Sequence, residues 1–334
     1  MDALVPPSMR VISGGDVARE IERDRPECVR VVRDAYLAHD AGDSVNPHSG
    51  FLRFPHLPRS RIISLPAYLG GEFDVAGIKW IASFPDNTRH GIPRASATLV
   101  LNDCRTGFPF VCMESSIISA TRTAASAVLG AETLVGARKA TRVGMIGTGL
   151  IAGHVWKFLR DNGWEIGGVR LFDLDRANAE RFGATLPVEV EIADRVEDAF
   201  LDCDLVVLTT VAGEPHLHDP RLLDHNPVVL HLSLRDLSPD LVLAAQNFTD
   251  DVGHAVREGT SLHLTEQRVG NRDFLAGTLG DLLTGRVTRE ADRAAIFAPF
   301  GLGVLDLAVG KWVHDRVVAA GNGLPVPDFF SEAV

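Results

Sequence analysis

Val143 to Ala152 reads VGMIGTGLIA, an apolar run passing into Gly147-x-Gly149-x-x-Ala152. A tight glycine turn between a strand and a helix lets backbone N–H groups meet a pyrophosphate, and the helix dipole favours the negative charge. Such turns also arise from packing alone, so context decides. Here an apolar strand precedes the loop, a helical run follows, and Asp173 in VRLFDLD lies 26 residues beyond Gly147 at the end of the next strand pattern. A carboxylate there bonds the ribose hydroxyls and repels a 2′-phosphate, which predicts NAD over NADP. Asp175 is the nearby rival.

A second set of residues could act on a substrate. By residue type alone Lys79 in GIKW is a solvated strand residue, whereas in a water-poor pocket its pKa falls and it becomes an acid/base group or a donor to a carboxylate. Arg53, Arg94 and Arg122 are either surface charges or guanidinium forks that match a carboxylate. Asp236, in HLSLRDLSPD just past a predicted strand, stands at the carboxyl end where α/β sheets place ligands. As a helix cap or turn residue it would carry no chemistry.

The elements that must hold these groups follow from pattern. Met9 to Ile12 reads as a strand, with Ser13 or Asp16 to cap a helix that breaks or restarts at Pro26 and stops at Gly42. Phe51 to Phe54, Ile62 to Pro66, Val75 to Phe84 and Ala97 to Asn102 predict an antiparallel or mixed sheet. In the third run Ile78, Trp80, Ala82 and Phe84 share one face, and Gly77, Lys79, Ile81 and Ser83 the other. Ser116 to Leu134 is a proline-free, alanine-rich helix in which Arg122 stands among small apolar residues. After the glycine loop, strands near Val169 to Asp173, Leu205 to Thr210, Val228 to Leu234 and Phe248 to Asp250 alternate with helices, which makes parallel βαβ units. A last glycine turn, Phe300 to Gly303, opens an apolar helix whose Leu305, Ala308, Val309, Trp312, Val313 and Val317 share a face.

Bulk composition narrows the class. A chain of 334 residues exceeds one ordinary core, and 46% hydrophobic with 23% charged residues is the balance of a globular enzyme. A net charge of -11 with no Lys/Arg stripe argues against nucleic-acid binding. Cys28, Cys104, Cys112 and Cys203 show no metal-ligand spacing and read as reduced core thiols. No run is long and apolar enough for a signal peptide or a membrane span, so a cytoplasmic protein is expected, with no metal and no membrane partner.

GIKW, NTRHGIPRASATLVLNDCRTGFPF (Asn87 to Phe110), MESSIISATRTAASAVLGAETL (Met113 to Leu134), the glycine loop and PFGLGVLDLAVG (Pro299 to Gly310) together resemble the ornithine cyclodeaminase/mu-crystallin family over nearly the whole chain. PRAS at Pro93 to Ser96, HLSLRDLSPD and PFGLGVLD look most like the branch that makes 2,3-diaminopropionate for siderophores and peptide antibiotics. That branch oxidises N-(2-amino-2-carboxyethyl)-L-glutamate with NAD to 2-oxoglutarate and L-2,3-diaminopropionate. Leu234-Arg235-Asp236 departs from the glycine pair usual in cyclodeaminases, and Met113-Glu114-Ser115-Ser116 from their acidic-glycine pair.

The resemblance implies a Rossmann-type doubly wound parallel sheet over 125–303 and a discontinuous α+β substrate-binding and dimerisation domain from 1–124 and 304–334. It gives Arg53 and Arg122 the grip on a substrate carboxylate and Lys79 and Asp236 the catalytic positions; by charge counting, Arg94 is expected to serve an additional carboxylate. Gly147, Thr148, Gly149, Leu150, Ile151, Asp173, Thr123, Thr210 and Ser233 form the candidate NAD-binding set. The implied partners are a small amino-acid substrate and a second copy of the chain. A cyclodeaminase that returns its hydride, and a non-catalytic mu-crystallin-like binding protein, are the alternatives.

Overall fold

A computed structural model of the chain describes residues 7–330. Residues 1–6, part of the segment expected to lack a targeting run, and 331–334 lie outside the described residues. Two compact units result, one running to Arg122 and resuming at Leu302, the other from Thr123 to Gly301.

The first unit is built on a mixed sheet. Numbered along the chain, its strands are β1 (Met9–Ile12), β2 (Ser44–Val45), β3 (Gly50–Phe54), β4 (Leu57–Leu69), β5 (Val75–Ser83), β6 (Ala95–Asp103), β7 (Pro109–Glu114) and β16 (Leu324–Val326). They run β16-β1-β7-β6-β5-β4-β2 with β3 on β4, and only β1 and β7 pair in parallel. Pro66 sits inside β4 where neither β3 nor β2 reaches, so its missing N–H removes no ladder bond on that side. Helices α1 (Gly14–Arg23) and α2 (Arg25–Asp40) meet at Asp24, whose side chain caps α2, while Ser13 caps α1. The break therefore precedes Pro26, which sits in the first turn of α2 where a missing N–H is harmless.

The two faces of β5 are used in an instructive way. Helix α10 (Gly303–Ala319) covers the Gly77/Lys79 face, leaving Lys79 1% exposed, while Trp80 on the bulky face is 46% exposed. Small residues decide which side the helix takes. A Cβ on Gly77 would stand 2.9 Å from Leu307 Cδ2, and one on Gly310 would stand 2.2 Å from Leu99 Cδ2.

The second unit takes the later part of α3 (Ser116–Val135) and then alternates. It comprises β8 (Lys139–Ile146), α4 (Leu150–Asp161), β9 (Glu165–Phe172), α5 (Arg176–Gly183), β10 (Glu189–Ile192), β11 (Leu205–Leu208), β12 (Val228–His231), α6 (Pro239–Ala244) and β13 (Gln246–Thr249). Then follow α7 (Val252–Ala255), α8 (Ser261–Val269), β14 (Leu275–Thr278), α9 (Leu279–Leu283) and β15 (Ala295–Phe297). All strands pair in parallel in the order β10-β9-β8-β11-β12-β15-β13-β14, a doubly wound sheet whose order reverses between β8 and β11. Every residue of β11, β12 and β13 is buried, as a sheet covered on both faces requires. The run expected to Leu234 ends at His231, and Leu234 itself takes φ +75°, a conformation glycine holds without strain and leucine does not.

Among the described residues no helix is long and apolar enough to cross a membrane. Cys28 and Cys203 are buried, and burial pushes the Cys203 thiol up to about 12. Cys104, expected in a core, is exposed in the turn after β6, because the strand ends at Asp103.

Candidate functional site

The glycine loop leaves β8 at the reversal of strand order, where doubly wound sheets bind their ligands. Gly147 takes φ +84°, and a Cβ there would lie 2.9 Å from the carbonyl of Thr209 at the end of β11. Only glycine fits that crossing. Gly149 faces open space and caps α4 without a side chain, leaving the N–H groups of the first turn for an anion. Leu174, Val211 and Leu150, which follow β9, β11 and the loop, are 96%, 76% and 69% exposed. An open helix N-terminus beside exposed apolar side chains fits a dinucleotide with its phosphates and planar rings.

Asp173 follows β9 and accepts from Thr148 N (2.8 Å) and Oγ1 (2.9 Å) with one oxygen and from Asp175 N (3.0 Å) with the other. Burial alone would raise its pKa; these bonds outweigh it and hold the carboxyl below its ordinary value. Asp175 is occupied as the cap of α5, so Asp173 is the acid at the loop. Asp173→Ser is expected to improve the ratio of NADP to NAD affinity by about ten- to a hundred-fold by removing a like charge from the 2′-phosphate. Fluorescence titration with both dinucleotides checks this, and an unchanged ratio would move the discrimination elsewhere.

Lys79 lies in the middle of β5, paired with Leu65 and Leu99. Its Nζ donates to Asp306 Oδ2 (2.6 Å) on α10 and to Ser119 Oγ (3.2 Å) on α3, and Arg122 Nε donates to Asp306 Oδ1 (3.4 Å). Ser119 and Arg122 are three apart on one helix face, and Asp306 is fully buried. Burial, with the Arg122 cation assisting, lowers Lys79 to about 8 against the opposing pull of Asp306. The sequence reading brings Lys79 and Arg122 forward but misses the acid joining them. Its only signal was one carboxylate within the apolar helix Gly303 to Gly310.

The other two arginines share a row on the same sheet face. Arg53 lies opposite Arg61, and Arg61 opposite Ser83, whose Oγ receives Arg94 Nε at 3.3 Å. Ser83 is four residues along β5 from Lys79, about 13 Å away on the same side. The Arg53 guanidinium also stands over the Phe51 ring, 5.0 Å from its centroid.

In the second unit, Asp236 is fully buried in the turn after β12. It accepts from Thr210 Oγ1 (2.5 Å) and Ser233 Oγ (2.5 Å), with His216 Nε2 at 2.9 Å and His231 Nε2 at 3.2 Å. Burial pushes its pKa up; the bonds from His216, His231 and Ser233 prevail and hold it far below the carboxylate range. Ser238, not Asp236, caps α6. Thr210 and Ser233 thus turn their hydroxyls to Asp236. His216 and His231 are absent from the sequence reading. Thr123 directly follows Arg122 in α3.

A doubly wound nucleotide-binding sheet in one unit, and in the first unit a lysine buried against an aspartate and an arginine, define a dinucleotide-dependent class of protein. Residues 12–321 match the family model described as the ornithine cyclodeaminase/mu-crystallin family, and the chain belongs to that family. It is 27% identical over 303 residues to the N-((2S)-2-amino-2-carboxyethyl)-L-glutamate dehydrogenase of Staphylococcus aureus, covering 86% of this chain and 89% of that one. It is 27% identical over 320 residues to the alanine dehydrogenase of Archaeoglobus fulgidus, covering 91% and 94%. An archaeal alanine dehydrogenase dimer with bound NAD shares the fold, with a TM-score of 0.87 at 23% identity over 96% of this chain and 100% of that one.

Proposed function

We propose that the chain oxidises an N-substituted amino acid with NAD, the substrate being N-(2-amino-2-carboxyethyl)-L-glutamate and the products 2-oxoglutarate and L-2,3-diaminopropionate. The coarser statement, an NAD-dependent oxidoreductase acting on a small amino acid, carries over from the family and its relatives whatever that substrate proves to be. The observation that carries the finer reading is the number of cations on one sheet face. Lys79, Arg53 and Arg61 lie on it, with Arg122 beside Lys79 and Arg94 beside Ser83, which suits a substrate with more than one carboxylate.

NAD, when bound, would supply the hydride acceptor for oxidation at the substrate α-carbon. The protein's own part is to hold and to move protons. Arg122 and Arg53 grip the carboxylate of the carbon being oxidised, and Arg94 takes a further one. Lys79, lowered to about 8, exchanges a proton near neutral pH. Gly147 to Ile151, Thr123, Asp173, Thr210 and Ser233 form the dinucleotide side. The bulky face of the mixed sheet, with Trp80, Val11 and Leu324 exposed, supports a homodimer through that sheet.

The test incubates the full chain with NAD and a panel of N-substituted glutamates, ornithine, lysine and proline. NADH forming one-for-one with 2-oxoglutarate is expected. Proline and ammonia from ornithine, with no NADH accumulating, would make it a cyclodeaminase, and tight NAD binding without turnover of any of them a binding protein.

A further inference from the structure

Four side-chain groups converge on Asp236, and they are not alike. Thr210 and Ser233 give it a hydroxyl on each oxygen, and neither has a charge to lose. His231 is buried, and its Nε2 is enclosed between the Asp236 backbone N–H at 3.1 Å and Asp236 Oδ2 at 3.2 Å. His216 is the exception. Its Nε2 faces Asp236 Oδ1 at 2.9 Å, its side chain is 35% exposed, and its Nδ1 carries no hydrogen bond among the described residues.

This arrangement separates two roles. Protonating Asp236 would break at least one bond in a fully buried site, so it stays a carboxylate and orients what it holds. An imidazole tied to such a carboxylate at one nitrogen and open at the other is the arrangement of a base. The backbone fixes it further: His216 N and Leu217 N both donate to Asp236 O, at 3.0 and 2.9 Å, and Leu217 bridges Leu237 in parallel. His216 is thereby held beyond β11 and β12, at the carboxyl end of the parallel sheet. Facing it from the turn after β12 is Asp236, with His231 at the end of β12 on the other Asp236 oxygen, and on its own loop Glu214 and His218 are its titratable neighbours in sequence. Arg235 is turned away, donating to the carbonyls of Glu258 and Gly259.

We propose that His216, oriented by Asp236, carries the protons in the hydrolytic half of the reaction. Water adds to the iminium carbon left by hydride loss to the nicotinamide; as the O–C bond forms, one water proton passes to His216 Nδ1. The imidazolium returns that proton to the amine nitrogen, the C–N bond breaks with its electron pair leaving on nitrogen, and the remaining hydroxyl proton goes to solvent as the 2-oxo acid forms. The substrate in this sequence rests on the function proposed above; the dyad itself does not.

The test therefore has two arms. In wild-type protein with 15N-labelled histidine, the His216 ring is assigned by comparison with His216→Gln, and the expected tautomer has the proton on Nε2; a neutral ring with Nδ1 protonated overturns the proposal. In turnover of N-(2-amino-2-carboxyethyl)-L-glutamate, His216→Gln is expected to lower kcat by about 10²- to 10⁴-fold with little change in KM. His216→Ala should recover rate when imidazole is added. A His216→Gln enzyme that works within about threefold of wild type overturns the proposal and leaves the proposed function standing. If wild type turns over no N-substituted amino acid, the proposed function falls, and the tautomer still decides whether His216 is built as a base.

Discussion

Lys79→Ala is expected to lower turnover by about 10²- to 10⁴-fold while NAD affinity stays close to wild type. The effect is large because the lysine is buried on a sheet face covered by α10, where no solvent group replaces it, and because its partners Asp306 and Ser119 hold the Nζ in one place. Stopped-flow NADH formation and a separate NAD titration check the two halves, and near-full turnover would remove Lys79 from the chemistry. The shift also has a sign. Lys79 falls from its ordinary 10.5 to about 8, so between those values the unfolded chain binds a proton that the folded chain does not. Stability from this group therefore rises with pH from about 8 toward 10.5, and below about 8 the folded state bears the full penalty of a buried ammonium. In wild type the basic form should support turnover increasingly as pH passes about 8, and Lys79→Ala should lose that limb.

What the sequence made legible were features whose meaning is local. The loop at Gly147 to Ala152 is a strand, a turn and a helix in succession, and its parallel setting follows from the alternation after it. Lys79 was visible only as a residue type, because its role depends on burial, and burial depends on which face of β5 a distant helix takes. The bulky residues Ile78 and Trp80 suggest that their side is the packed one. The helix instead takes the side where Gly77 lets Leu307 approach. Asp306 was hidden for the same reason: its partner Lys79 is 227 residues away, and inside an apolar helix an aspartate has no periodicity to reveal it. His216 and His231 were hidden differently. They lie 20 and 5 residues from Asp236, and the three side chains meet only in the fold, where His231 ends β12, Asp236 follows in the turn, and the His216 and Leu217 N–H groups donate to the Asp236 carbonyl.

Asp306→Ala is expected to destabilise the protein by about 3–5 kcal/mol, the usual consequence of removing one partner from a buried ion pair. Asp306 is the anion shared by the Lys79 and Arg122 side chains, so its loss leaves two cations facing each other beneath α10. Lys79 has an escape that Arg122 lacks. Without the attraction of Asp306 its pKa drops further, and it sheds its proton while the guanidinium stays charged. The loss should therefore be larger at pH 6 than at pH 9, where Lys79 is largely neutral in both proteins. Lys79→Met combined with Asp306→Ala should recover at least half of it, because one of the stranded charges has gone. Denaturant midpoints at the two pH values check this. A double variant as unstable as Asp306→Ala alone, at both pH values, would mean that Asp306 holds α10 by packing and not by charge.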